Sequence, residues 1–136
     1  MKIGFLCLPL TGHLNPMTAL ARRLQSRGHD VVLVGVPEVE GIARAANLNF
    51  VPFCEKEYPE GAIADVLAPL TKLHGLAPFE HLYEQILPDF TRAALKHLPE
   101  KLAETGIEAL VTDTAHAFLE LAPLRLNTLP RHDMRF

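Results

Sequence analysis

Apolar and polar positions along this chain follow two different rhythms. Residues 2–8 and 31–36 are almost unbroken apolar runs, Ile3-Gly4-Phe5-Leu6-Cys7-Leu8 and Val31-Val32-Leu33-Val34-Gly35-Val36. A run of that kind, without alternation, suits a parallel strand covered on both faces. Between the two runs, Met17, Leu20, Ala21 and Leu24 fall at i, i+3, i+4 and i+7, which predicts a helix over 16–27. Asn15 reads as its N-cap and Pro16 as its first residue, where a missing N–H costs nothing. Gly28 reads as the residue of positive φ that stops it. A short helix over about 38–46 follows, with Val39, Ile42, Ala43 and Ala46 inward and Asn47 closing it. Asn49 to Phe53 reads as a third strand, and Pro52 assigns it to an edge, since proline cannot serve a ladder on both sides. Two βαβ units in succession imply right-handed crossovers and a parallel sheet in the order 3-2-1.

The second half of the chain is helical but punctuated. Residues 55–61 read as a loop. Residues 62–74 bring Ile63, Val66, Leu67, Leu70 and Leu73 to one side, with a bend at Pro69. Gly75 and Pro78 mark a break. Residues 79–104 form a long helical stretch with Leu82, Ile86, Phe90, Ala94 and Leu98 in step, interrupted at Pro88 and Pro99. These bent apolar helices suit two roles, a layer over the sheet and the wall of an apolar pocket. After Gly106, Ile107 to Thr112 reads as a fourth strand beside the first, giving the order 3-2-1-4 with helices on both faces. Asp113 leaves its C-terminal end. A further helix is expected over 115–121, and residues 127–136 have no period. With no repeat and no linker, the pattern predicts one domain.

Composition narrows the function classes. The chain has 136 residues, 49% of them hydrophobic, with a net charge of -3, enough apolar content for a real core and no sign of disorder. Its longest basic run is Arg22-Arg23, so no nucleic-acid partner is expected. The apolar start is too short to span a membrane and lacks a cleavage site, so the reading is of a cytoplasmic chain with no transmembrane segment. Cys7 and Cys54 are expected to be free and buried, and no His or Cys spacing suggests a metal site.

The chemistry-bearing residues converge at one sheet edge. His13 follows strand one and Asp113 follows strand four, one hundred residues later in the chain. In the order 3-2-1-4 those strands are neighbours, and in open α/β folds ligands bind at that edge. A carboxylate that accepts the Nδ1–H of an imidazole fixes its tautomer, leaving Nε2 to take a proton from a substrate hydroxyl. The plainer alternatives are a surface or packing histidine and an aspartate that caps the next helix. The loop after strand one holds a single glycine, Gly12, so neither G-x-G-x-x-G nor a P-loop is present, and no cofactor is expected to bind here. There is also no Ser/His/Asp nucleophile elbow.

The segment Gly4-Phe5-Leu6…Gly12-His13-Leu14-Asn15-Pro16…Leu20-Ala21…Leu24…Gly28-His29-Asp30-Val31 resembles the opening of the N-terminal domain of UDP-sugar-dependent glycosyltransferases of the GT-B fold. The resemblance is to the bacterial branch that includes macrolide and zeaxanthin glucosyltransferases, and Val111-Thr112-Asp113 matches that family's strand-end aspartate. It implies a Rossmann-like acceptor-binding domain over residues 1–126, half of a GT-B fold, with an irregular tail over 127–136. It also implies that His13 deprotonates the hydroxyl of a lipophilic acceptor and that Asp113 orients it. Attack on the sugar then inverts the anomeric carbon and displaces UDP. Thr11, Gly12 and Asn15 become candidate sugar or acceptor-loop residues. The family's second, nucleotide-sugar-gripping domain has no counterpart in these residues. The expectation is therefore a truncated transferase that is inactive alone, with a non-catalytic remnant or small-molecule-binding module as the alternative, and a flavodoxin-like domain as a weaker one.

Overall fold

The computed structural model describes residues 1–113. Among these residues four parallel strands form one sheet: β1 (Lys2–Leu6), β2 (Asp30–Gly35), β3 (Asn49–Pro52) and β4 (Ala109–Thr112). Their order is β3-β2-β1-β4, as the apolar runs and Pro52 predict. β1 is paired on both sides, with Phe5 level with Leu33 and with Val111, and Leu6 level with Val34 and Thr112. Val31 to Val34 are all buried, which accounts for the lack of alternation in β2.

Among the described residues five α-helices connect the strands: α1 (Thr11–Gln25), α2 (Glu40–Ala45), α3 (Ala62–Leu67), α4 (Ala77–His81) and α5 (Leu87–Thr105). The β1–α1–β2 and β2–α2–β3 crossovers step one way across the sheet, and the passage through α5 to β4 steps back. Right-handed crossovers therefore put α1 and α2 on one face and α5 on the other. The core lies in both seams. Leu14, Met17 and Ala21 of α1 are buried on one side, and Phe90, Ala94, Leu98 and Leu102 of α5 on the other. Phe90 meets Phe53 edge-on at 6.3 Å between centroids and Tyr58 at 5.4 Å.

Several local expectations are corrected. Helix α1 begins at Thr11, not at Pro16, so Asn15 caps nothing and lies in the second turn, where its carbonyl accepts the Thr18 hydroxyl at 3.0 Å. The cap position belongs to Leu10, whose carbonyl accepts the N–H groups of His13 and Leu14. Tertiary anchoring overrides the local Asn-Pro signal here: Leu14 is buried and His13 is bonded to Asp113, so the turn before Pro16 is held from outside. The buried face consequently runs through Leu14, Met17 and Ala21, and Leu20 is exposed. Ile42 is likewise at the surface, whereas Val39 and Ala43 face inward. At the other end of α1 the glycine reading holds. Gly28 has φ 90°, and the His29 N–H returns to the Leu24 carbonyl, the bond that closes a Schellman turn.

The prolines of the second half act unequally. After α3 the chain tightens into a 3₁₀ stretch, Ala68–Lys72, at Pro69. Ahead of Pro88 lies a π-helical turn, Leu82–Ile86, in which the Leu87 N–H reaches back to the Leu82 carbonyl. That widening relieves the clash between the Pro88 ring and the preceding turn. Pro99, expected to interrupt the helix, does not: α5 runs through it to Thr105, because the buried Leu98 and Leu102 hold both sides of the lost bond. β1 and β4 are shorter than the apolar runs that predicted them. The helix expected over 115–121, the tail over 127–136 and the domain boundary at 126 lie outside the described residues. Among the described residues no helix is long and apolar enough to cross a membrane.

Candidate functional site

Two strands and one helix deliver the site. β1 ends at Leu6 and β4 at Thr112, level in the sheet, so the residues that follow leave from the same edge. Asp113 follows β4 directly. Its Oδ2 accepts the Leu8 N–H at 3.1 Å and sits 2.8 Å from Nδ1 of His13. An ionised carboxylate only accepts, so Nδ1 carries the proton and Nε2 presents its lone pair. The imidazole is 37% exposed and the carboxylate 11%, so the pair lies at the mouth of the site with its orienting half inside. His13 is the third residue of α1 and not, as the sequence suggested, part of a free loop. A helical backbone and a carboxylate therefore fix the ring together.

His13 lines a cleft of about 920 Å³ whose other walls are Leu8, Phe79, Leu82, Tyr83, Leu87, Pro88, Thr91, Arg92 and Leu95. The bent helices thus form both the layer over the sheet and the wall of an apolar pocket. Phe79 and Tyr83 remain 60% and 66% exposed at its rim. The sequence reading did not single out Phe79, Tyr83 or Arg92. The one signal available was the pair of aromatics at i and i+4, off the Leu82–Ile86–Phe90 stripe that fills the core.

Of the loop candidates, Thr11 and Gly12 are exposed in the first turn of α1, and open space surrounds Gly12: a Cβ there meets nothing within 4 Å. Asn15 is exposed one turn on and shares no bond with the His13–Asp113 pair. Cys7, beside Asp113, is no nucleophile: burial and then the Asp113 charge push its thiol up to about 12. Cys54 is pushed up to about 12 as well, by burial and then by Glu57 and Glu55. Both thiols are free and buried, as expected. His97 bonds Glu57 at 2.7 Å and holds that carboxyl below its usual range. Among the described residues no three His, Cys, Asp or Glu side chains gather as a metal site would require.

No protein-family model matches the chain, and no curated sequence matches it significantly. Solved structures do match its fold. The glycosyltransferase SsfS6 of Streptomyces sp. SF2575 superposes with a TM-score of 0.64 at 19% identity, over 95% of this chain and 37% of that one. The glycosyltransferase SnogD from Streptomyces nogalater gives 0.62 at 18% identity, over 85% of this chain and 29% of its own. A Glycyrrhiza uralensis protein solved with glycyrrhetinic acid 3-O-monoglucuronide gives 0.53 at 19%, over 96% and 27%. The chain thus spans between 27% and 37% of the length of these three proteins. At such identities the likeness is one of architecture: this chain has the Rossmann-like α/β fold of a portion of the GT-B glycosyltransferases.

Proposed function

We propose that this chain is the acceptor-binding portion of an inverting glycosyltransferase, one that transfers a hexose from a UDP-sugar to a hydroxyl of a lipophilic small molecule. The observation that carries the reading is the His13–Asp113 pair, 2.8 Å apart, at the edge of a 920 Å³ apolar cleft. In this reading the acceptor hydroxyl gives its proton to Nε2 of His13. The freed oxygen pair forms a bond to the anomeric carbon, and the carbon–oxygen bond to UDP breaks on the opposite face, with the electrons leaving on the phosphate. Asp113 holds the tautomer and compensates the imidazolium that forms. The first turn of α1, where Thr11 and Gly12 are exposed, offers the positive pole of that helix to an anionic group. The UDP-sugar is a substrate held by a second, donor-binding portion, and no resident cofactor takes part. The free buried thiols suit a reducing, cytoplasmic setting. That the Glycyrrhiza uralensis structure holds a glucuronide of a largely apolar acid agrees with the acceptor class.

The test joins this segment to a donor-binding portion and replaces His13. His13→Ala is expected to lower kcat by about 10²- to 10⁴-fold, the usual contribution of a general base, with UDP-sugar affinity unchanged. Unchanged turnover refutes the base. Tight acceptor binding by a joined protein that never turns over favours the binding-module alternative.

A further inference from the structure

The cleft that the proposed function assigns to the acceptor has an uneven charge. Among its described lining residues there is no carboxylate, and apart from His13 the one cationic side chain is Arg92. Arg92 stands on α5 one turn beyond Pro88, on the ridge between this cleft and a second one of about 630 Å³ on the other side of the helix. Among the described residues its one ion pair is with Asp89, three residues earlier, where Nη1 donates to Oδ1 at 2.8 Å. Asp89 borders the second cleft only, as does Glu57. Both members of the Arg92–Asp89 pair are largely exposed, 77% and 69%, and such pairs hold their partners weakly. The guanidinium therefore keeps most of its five donors, in a planar fork suited to two carboxylate oxygens at once.

The cleft offers a ligand three things: apolar walls at Leu82, Leu87 and Leu95, a proton acceptor at His13, and at Arg92 a guanidinium with donors beyond the one given to Asp89. A neutral apolar alcohol would use the first two and leave Arg92 to water. A molecule with both a hydroxyl and a carboxylate on an apolar skeleton would use all three. We infer that the acceptor is an acid: Arg92 selects hydroxylated apolar molecules carrying a carboxylate, and binds that group while the hydroxyl lies at His13. This rests on the reading of the cleft as the acceptor site.

The experiment uses a matched pair of probes, a hydroxynaphthoate and its methyl ester, which keep shape and hydroxyl and differ in charge. The chain contains no Trp, so naphthalene fluorescence is read against a low protein background. At neutral pH the acid is expected to bind the chain about fivefold more tightly than the ester, the upper end for one partly exposed ion pair. Arg92→Gln should erase that preference, bringing acid and ester to equal affinity, and Arg92→Lys should keep part of it. Raised salt should shrink it as well. Equal binding of acid and ester, with both lost in Leu95→Arg, overturns the acid selection and leaves the acceptor cleft standing. A preference that survives in Arg92→Gln also overturns it. Binding of neither probe at millimolar concentration overturns the selection and the acceptor reading together.

Discussion

Asp113→Asn separates charge from geometry at the site. In the structure one oxygen, Oδ2, receives both the Leu8 N–H at 3.1 Å and the Nδ1 of His13 at 2.8 Å. In the variant either the amide oxygen or the amide nitrogen takes that place. A nitrogen there would point its hydrogens at the Leu8 N–H, so the Leu8 bond selects the oxygen. The oxygen still accepts Nδ1–H, and the tautomer with a free Nε2 survives. What is lost is the negative charge beside the imidazolium that the proposed reaction forms. Two unit charges at about 4 Å interact by about 4 kcal/mol at an effective dielectric of 20, and the 37% exposure of the ring reduces this to about 2–3 kcal/mol. Asp113→Asn should therefore lower kcat by about 30- to 160-fold, with KM for the acceptor little changed. Asp113→Ala removes the acceptor itself. It should cost more in kcat and also destabilise the fold by about 1–2 kcal/mol, because the Leu8 N–H loses its partner. The assay is UDP release by the joined protein under saturating donor, with urea unfolding of each variant and ¹⁵N shifts of the His13 ring. Asp113→Asn as active as the unsubstituted protein would refute the charge argument. A tautomer change in the ring shifts would refute the argument from Leu8.

Three further outcomes follow from the packing. Gly12→Ala should raise stability by about 0.5 kcal/mol in thermal unfolding, since the new methyl meets no atom and alanine suits a helix better; a loss would contradict the open space around it. Phe90→Ala should cost about 3–5 kcal/mol in urea, because the ring is 3% exposed and joins Phe53 to Tyr58; a loss below about 1 kcal/mol would contradict its central place. Cys7 and Cys54 ionise in the unfolded chain near 9.0 but in the fold only near about 12, so stability should be level below 9.0 and fall as pH rises from there towards 12. A Cys7→Ser, Cys54→Ser double variant should fall less steeply across that window, and an identical slope would exclude the thiols.

How far each feature could be read from the sequence depends on how locally it is determined. The strand order was legible because Val31 to Val34 have no polar face and Pro52 rules out an interior strand. The nearness of His13 and Asp113 followed from that order alone. The start of α1 was not legible. Asn15 and Pro16 make a sound local cap, and only the burial of Leu14 and the bond from His13 to Asp113 outweigh it. The π-turn was hidden for a similar reason. Pro88 announces a disturbance, but how the chain absorbs it depends on what Leu82 and Ile86 pack against. The cleft side chains Phe79, Tyr83 and Arg92 look like any polar or half-polar helix face until the helix is docked. Glu38 is a comparable case: it accepts the Ile63 N–H at the start of α3 at 3.3 Å, a bond spanning 25 residues that no local pattern reveals.

The bond from Leu8 to Asp113 also bears on why the proposed base can be held accurately so near the surface. A histidine on a loop would take its position from that loop's own few contacts. Here the register of β1 against β4 brings Leu6 level with Thr112. One residue past that register, a single carboxylate oxygen ties the departing β1 strand to the ring on α1. Moving His13 outward breaks its bond to Asp113, and carrying Asp113 along with it breaks the sheet-edge bond to Leu8 as well. Positioning of this kind on rigid elements is what proton transfer at fixed distance requires. It also leaves the part of the wall at Phe79, Leu82 and Tyr83, on short helical pieces ahead of Pro88, as the side where the proposed acceptor site can vary without disturbing the base.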